Sequence, residues 1–266
     1  MTGMRRLPAI GLAVLLVVAL CAAVQPARVQ VHSYASGIFG GERRAWVYAP
    51  PAGARPVGLV ICLWGQDYVG QIQAPDTLDT LIHAGTLPPL AAIFLEGEND
   101  RYQDIETTRR TAESIAREVI PWAKGTLGVA VDAKHTIVAG YSAAGLGATY
   151  AAYAHPESIG NVLAQSGAFW RGFDGEGASE PEWLAKHFAS APKRDTRFSL
   201  EVGGAETREA GGSGISIKQA NEHLRDVLTR KGYDLTYVEV PGAQHEYGHW
   251  KAAFGPALVA LAKDWK

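Results

Sequence analysis

The sequence predicts an α/β domain: a mostly parallel central sheet of about eight strands with helices on both faces. Three observations predict it. Short β-rich runs recur through the chain. They alternate with longer stretches whose apolar residues repeat at helical spacing. Two of the runs, VGLVICLW at 57–64 and AAIFLE at 91–96, are apolar nearly throughout, as strands covered on both faces must be.

The elements follow in order. Residues 1–27 carry Arg5 and Arg6, then an uncharged apolar stretch from Leu7 to Val24, then small residues at Ala22, Ala23 and Ala27. A positive end, an apolar middle and a small-residue exit read as a secretory signal peptide, with a single membrane anchor as the alternative. Cys21 raises lipidation, but Leu20 stands where a small residue belongs. Residues 28–266 then form one domain, secreted or periplasmic, with no membrane contact once the leader is cleaved. Runs 29–35 and 43–49 predict an antiparallel pair around the Gly40-Gly41 turn. Further strands are expected at 57–64, 91–96, 136–141, 161–166, 196–202 and 235–240. Helices are expected at 106–124, 142–153, 217–231 and 249–265. In the first of these, Ile105, Thr108, Ala112, Ile115, Ala116 and Val119 share a face, and Gly232 stops the third. Residues 171–194 break the alternation, either as a surface excursion with a short helix or as a wall over the site.

Composition narrows the function. Of 266 residues, 47% are hydrophobic and 20% charged, which excludes a disordered chain. With 25 basic and 27 acidic residues the chain has no electrostatic footprint for nucleic acid. Of the two cysteines, cleavage of the leader leaves Cys62 alone inside an apolar run, a small buried hydrophobe with no disulfide partner.

The sharpest local signal is the run from Ile137 to Gly147, IVAGYSAAGLG. An apolar strand enters small-x-Ser-x-small and a helix begins at once, the layout of a nucleophile elbow. Flanking small residues are needed because the turn leaves no room for side chains. Ala144 stands where a second glycine is usual. The competing reading makes Ser142 an ordinary helix N-cap. A serine nucleophile needs a base and an acid, which follow it along the chain in this layout. His245, directly after the last strand, is the candidate base. His155 and His223 read as a helix-end cap and a solvated side chain. Glu206, after the preceding strand, is the candidate acid, with Glu209 as runner-up. Backbone amides of Ala143 and Gln66 are the candidate oxyanion donors. His245-Glu246-Tyr247-Gly248-His249 spells H-E-x-x-H, a zinc-protease signature. Gly248 interrupts the helix that motif needs, and no Glu, His or Cys follows as a third ligand. No metal and no cofactor is expected.

With these residues placed, the chain from Val57 onward resembles the enterochelin (ferric enterobactin) esterase and esterase-D-like branch of the α/β-hydrolases. The likeness is carried by Leu63-Trp64-Gly65-Gln66-Asp67-Tyr68, Leu87-Pro88-Pro89, Arg101, Glu118-Val119-Ile120-Pro121-Trp122, Gly140–Gly147, His155-Pro156-Glu157, Gln165-Ser166-Gly167-Ala168-Phe169-Trp170 and Gly242-Ala243-Gln244-His245 with Trp250. Trp64, Ala144 and Glu246 depart from the family pattern. The resemblance implies an esterase with Ser142 as nucleophile, His245 as base and Glu206 as acid, acting on a small-molecule ester such as a siderophore trilactone. Trp64, Tyr68 and Trp170 are candidate substrate-lining residues, and Arg101 or Arg171 a candidate contact for an anionic ligand. A feruloyl-type carbohydrate esterase and a mycolyl-type acyltransferase are alternatives on the same fold. A non-catalytic ligand-binding module is the alternative from another class. The oligomeric state is not legible.

Overall fold

The computed structural model describes residues 29–51, 53–97, 105–129, 132–172 and 181–265. The leader at 1–27, Cys21 and Arg101 lie outside the described residues. Eight strands form one sheet in the order β1-β2-β4-β3-β5-β6-β7-β8. They are β1 (Val29–Ser36), β2 (Gly41–Tyr48), β3 (Gly58–Cys62), β4 (Leu90–Leu95), β5 (Thr136–Tyr141), β6 (Asn161–Gln165), β7 (Arg197–Gly203) and β8 (Asp234–Val240). Strand β2 runs antiparallel to β1 and β4, and all other pairings are parallel. The antiparallel start and parallel remainder are as the sequence predicts.

Every residue of β3, β4, β5 and β6 is buried, so helices cover both faces of the sheet centre. The covering helices are α1 (Gly65–Gly70), α2 (Ala74–His83), α3 (Ile105–Ser114), α4 (Ile120–Leu127), α5 (Ser142–Ala154), α6 (Trp183–Ser190), α7 (Ile217–Arg230) and α8 (Tyr247–Leu261). Helix α2 packs on α8, α3 on α5, and α6 on α7. Strand β8, at the edge, instead alternates between half-buried and exposed residues. Among the described residues no helix is long and apolar enough to cross a membrane. Cys62 is fully buried, and burial raises its thiol pKa, so it is an inert core residue.

The helices differ from the expectation at two places. The helix expected at 106–124 is divided: a π-helical turn, Ile115–Val119, separates α3 from α4. Pro121 at the start of α4 has no N–H to continue the ladder, and the wider turn absorbs the break. Helices α1 and α2 were not expected, because both are short and bounded by glycine or a left-handed residue. In the 171–194 segment, residues 173–180 lie outside the described residues. Its helix α6 is a packed element, with Trp183 and Phe188 buried and Phe188 edge-on to Tyr153, Phe198 and Tyr233.

The π turn carries Glu118 to the first hairpin. Its carboxylate accepts from Ser36 Oγ at 2.7 Å, Ser114 Oγ at 2.8 Å and the Ile38 N–H at 3.0 Å. Burial pushes the Glu118 pKa up, but these hydrogen bonds outweigh it and hold the group below its ordinary value. Glu118→Ala leaves three donors unanswered and is expected to lower stability by about 2 kcal/mol at pH 7 in urea denaturation. A carboxyl with a lowered folded pKa stabilises above its unfolded value of about 4.3. That contribution disappears as pH falls through the folded value, so the two chains are expected to converge in acid.

Candidate active site

The site stands where chain after chain leaves the C-terminal ends of the parallel strands, the edge at which open α/β sheets present their chemistry. Ser142 follows β5 directly with φ 52°, a left-handed conformation that a non-glycine residue adopts only when its surroundings impose it. It is not the N-cap of α5, which is Tyr141, so the ordinary-cap reading of Ser142 is corrected. The elbow needs its small neighbours. A Cβ on Gly140 would lie 2.2 Å from the Ala144 carbonyl oxygen, and one on Gly145 would lie 3.1 Å from the Gly167 backbone. Ala144 in the second glycine position is 4% exposed and is accommodated in this turn.

The structure brings Ser142, His245 and Glu206 together. His245 Nε2 lies 3.0 Å from Ser142 Oγ, and His245 Nδ1 lies 2.8 Å from Glu206 Oε2. With Nδ1–H donating to the carboxylate, Nε2 is the nitrogen left to accept from the serine hydroxyl. Glu206 Oε1 accepts from Ser166 Oγ at 2.5 Å and from the Gly203 N–H at 2.9 Å. Burial raises the Glu206 pKa, but the hydrogen bonds from His245 and Ser166, the His245 charge and the Gly203 amide together bring it below its ordinary value. The group therefore stays ionised opposite the imidazole. Glu209, the runner-up, accepts instead from Gly214 N–H at 2.9 Å within its own loop.

Around these residues the structure adds partners to which the sequence assigned no role in the site. Ser166, at the end of β6 with φ 47°, passes a chain from Trp250 Nε1 at 2.9 Å to Glu206. Tyr141 stacks on Trp250 with ring centroids 4.4 Å apart and donates its hydroxyl to Asp67 Oδ2. That bond ties the elbow to α1, which bears Gln66. Burial first, and then the Asp67 acceptor, push the Tyr141 phenol pKa upward, so it remains a donor. A second residue in this layer is His249, which faces Glu201 at 2.6 Å. The two histidines of the H-E-x-x-H string thus turn to different partners, His245 to Ser142 and His249 to Glu201.

The remaining candidates divide. Trp64, left-handed at φ 55°, caps α1 and lines a cleft with Ala143, Gly147, Phe39, Arg43 and Thr111. Gln66 is the second residue of α1, where backbone N–H groups have no intrahelical acceptor, and its side chain accepts from the Gly97 N–H at 3.0 Å. Ala143 occupies the matching position of α5. Tyr68 does not reach the cleft. It is fully buried against Phe254, with its hydroxyl on Gln165 Oε1 at 3.1 Å, so its substrate-lining role is corrected to a core role. Its place inside α1 turns it toward the core. Trp170 is half-buried with its ring over Gly211, where a Cβ would meet it at 2.2 Å. Arg171 lies over Trp170, its guanidinium 6.0 Å from the ring centroid. Phe39, which lines the cleft with Arg43, sits between two guanidinium groups, Arg43 at 4.8 Å and Arg110 at 4.7 Å from its ring centroid.

A sheet of this order, with a strained serine at the head of β5 and an imidazole delivered after the last strand, is the α/β-hydrolase fold. The chain belongs to the esterase family described as putative esterase, which it matches over residues 36–261. It is 31% identical over 230 residues to the iron(III) enterobactin esterase of Escherichia coli strain K12, which covers 82% of this chain and 53% of that protein. The chain thus spans about half the length of the curated relatives it matches. Among solved structures, the enterobactin esterase from Shigella flexneri in the presence of enterobactin superposes with a TM-score of 0.74 at 22% identity, over 88% of this chain and 59% of that one. The ferulic acid esterase of the anaerobic fungus Anaeromyces mucronatus superposes with a TM-score of 0.69 at 18% identity, over 90% of this chain and 94% of that one.

Proposed function

We propose that the protein is a secreted or periplasmic serine esterase that hydrolyses carboxylic esters through an acyl-enzyme. The observation that carries this reading is the alignment of Ser142, His245 and Glu206 at 3.0 and 2.8 Å. Ser142 Oγ attacks the ester carbonyl while His245 Nε2 takes its proton, and Glu206 stabilises the imidazolium that forms. The amides of Ala143 and Gln66, each in the first turn of a helix, receive the developing oxyanion. His245 returns the proton to the leaving alcohol. Water then attacks the acyl-enzyme by the same route in reverse.

The substrate we propose is a siderophore trilactone of the enterobactin type, in keeping with the relatives' substrate and with Phe39 and Arg43, which line the cleft beside Ala143. A feruloyl-type carbohydrate ester is the second reading. The export reading rests on the leader composition of residues 1–27. A panel of p-nitrophenyl acetate, a linear and a cyclic catecholate trilactone and a feruloylated sugar tests the proposal. Trilactone turnover with kcat/KM at least about tenfold above the feruloyl ester is expected. The reverse ranking selects the carbohydrate ester, and no turnover of any member contradicts the esterase reading.

A further inference from the structure

Behind Glu206 lies a second buried imidazole–carboxylate pair that the proposed mechanism does not use. The side chains of His249, in the first turn of α8, and Glu201, in β7, are 5% and 4% exposed, with His249 Nδ1 2.6 Å from Glu201 Oε1. The other ring nitrogen of His249 is 3.8 Å from Glu206 Oε1, too far for a hydrogen bond but close for a charge. Glu201, His249, Glu206 and His245 therefore stand in a row, carboxylate alternating with imidazole. The next titratable neighbour is the Tyr68 phenol of α1. Burial, and then the charges of Cys62 and Glu201, raise its pKa, so it adds no charge to the row. Two carboxylates buried on either side of one ring repel each other and lose hydration, and a positive charge between them offsets both penalties.

We propose that His249 is a positioning residue of the esterase site: held as an imidazolium between Glu201 and Glu206, it balances the first carboxylate and leaves the second ionised and aimed at His245. This rests on the reading of Ser142, His245 and Glu206 as the reacting set. The His249 titration runs in the matching direction. Burial pushes the ring toward its neutral form, but the Glu201 hydrogen bond and charge, the nearby Gln244 carbonyl and the Glu206 charge outweigh it and raise its pKa. Gln244 immediately precedes His245, so the same ring stands beside the loop that delivers the base. With a neutral side chain at 249 the row holds two buried carboxylates and no balancing cation. Protonation of Glu206 would then take away the acceptor that orients His245. Removing the Glu201 charge as well restores a single carboxylate, the one that matters.

The experiment is the pH profile of kcat/KM for p-nitrophenyl acetate in the unsubstituted chain, H249N and H249N/E201Q, each also tested for fluorophosphonate labelling. H249N is expected to lower kcat/KM at pH 7 about tenfold and to move the acid limb up by about one pH unit. H249N/E201Q is expected to recover most of the rate and to return the limb to within about half a unit. A residue that only fills space gives the opposite result, with the second substitution adding to the damage. Absence of rescue, or an acid limb that H249N leaves in place, overturns the proposal. If H249N does not fold, the ¹⁵N imidazole shifts of His249 in the S142A chain at pH 7 decide it. A doubly protonated ring supports the proposal and a neutral ring overturns it. An unsubstituted chain that takes no fluorophosphonate overturns the reading of the reacting set instead, so the two failures are distinct.

Discussion

Ser142→Ala is expected to lower kcat/KM for any ester the protein hydrolyses by at least about 10⁴-fold, with little change in thermal stability. The size follows from what the hydroxyl does. In the proposed mechanism it supplies the bond-forming atom, and without it the imidazole and the oxyanion donors would act on an ester held without a covalent route. The small effect on stability follows from the position. Ser142 is half-buried, its hydroxyl faces His245 Nε2 at 3.0 Å, and its φ of 52° is a strained conformation that alanine shares. Activity measured beside a melting curve separates the two effects. A variant that loses activity together with its fold would show that the serine is structural.

Gly140→Ala is expected to lower activity by at least about 100-fold and stability by about 3 kcal/mol. The added Cβ would stand 2.2 Å from the Ala144 carbonyl oxygen and 2.8 Å from the Gly145 amide nitrogen. Both are backbone atoms of the first turn of α5, so neither can rotate away. Relief requires moving the elbow itself, and a displacement of an ångström at Ser142 takes its hydroxyl out of line with His245. Gly70→Ala is the matched comparison, since a Cβ there meets nothing within 4 Å. Urea denaturation and ester turnover on both variants check the pair, with Gly70→Ala expected to stay near the parent in each.

The sheet was legible because its strands obey one rule each. Runs such as Leu59–Cys62 and Ala91–Leu95 are apolar at consecutive positions, a pattern that only burial on both faces tolerates. The serine was legible because the elbow restricts the positions two before and two after it to small residues, and that restriction is written in Gly140 and Ala144. His245 and Glu206 were legible from chain order, each standing just past a strand end. The division of the helix after residue 105 was not legible, because the apolar face continues through it while the backbone widens at Ile115–Val119. The inward turn of Tyr68 was hidden for a related reason. A short helix opening at Gly65 shows too little periodicity to reveal which side faces the core. The Glu201–His249 pair left a faint mark, a glutamate inside the otherwise apolar run Leu200-Glu201-Val202. A charge in a buried strand requires a partner, but only the folded chain shows that the partner comes from 48 residues away.

The most direct test is the site of covalent capture. The purified chain, treated with a fluorophosphonate at neutral pH and digested, is expected to carry the adduct on the peptide containing Ser142 and on no other serine, with labelling suppressed by His245→Ala. An adduct elsewhere, or none at all under conditions where a control serine hydrolase is fully labelled, would contradict the assignment of Ser142 and His245 as a reacting pair.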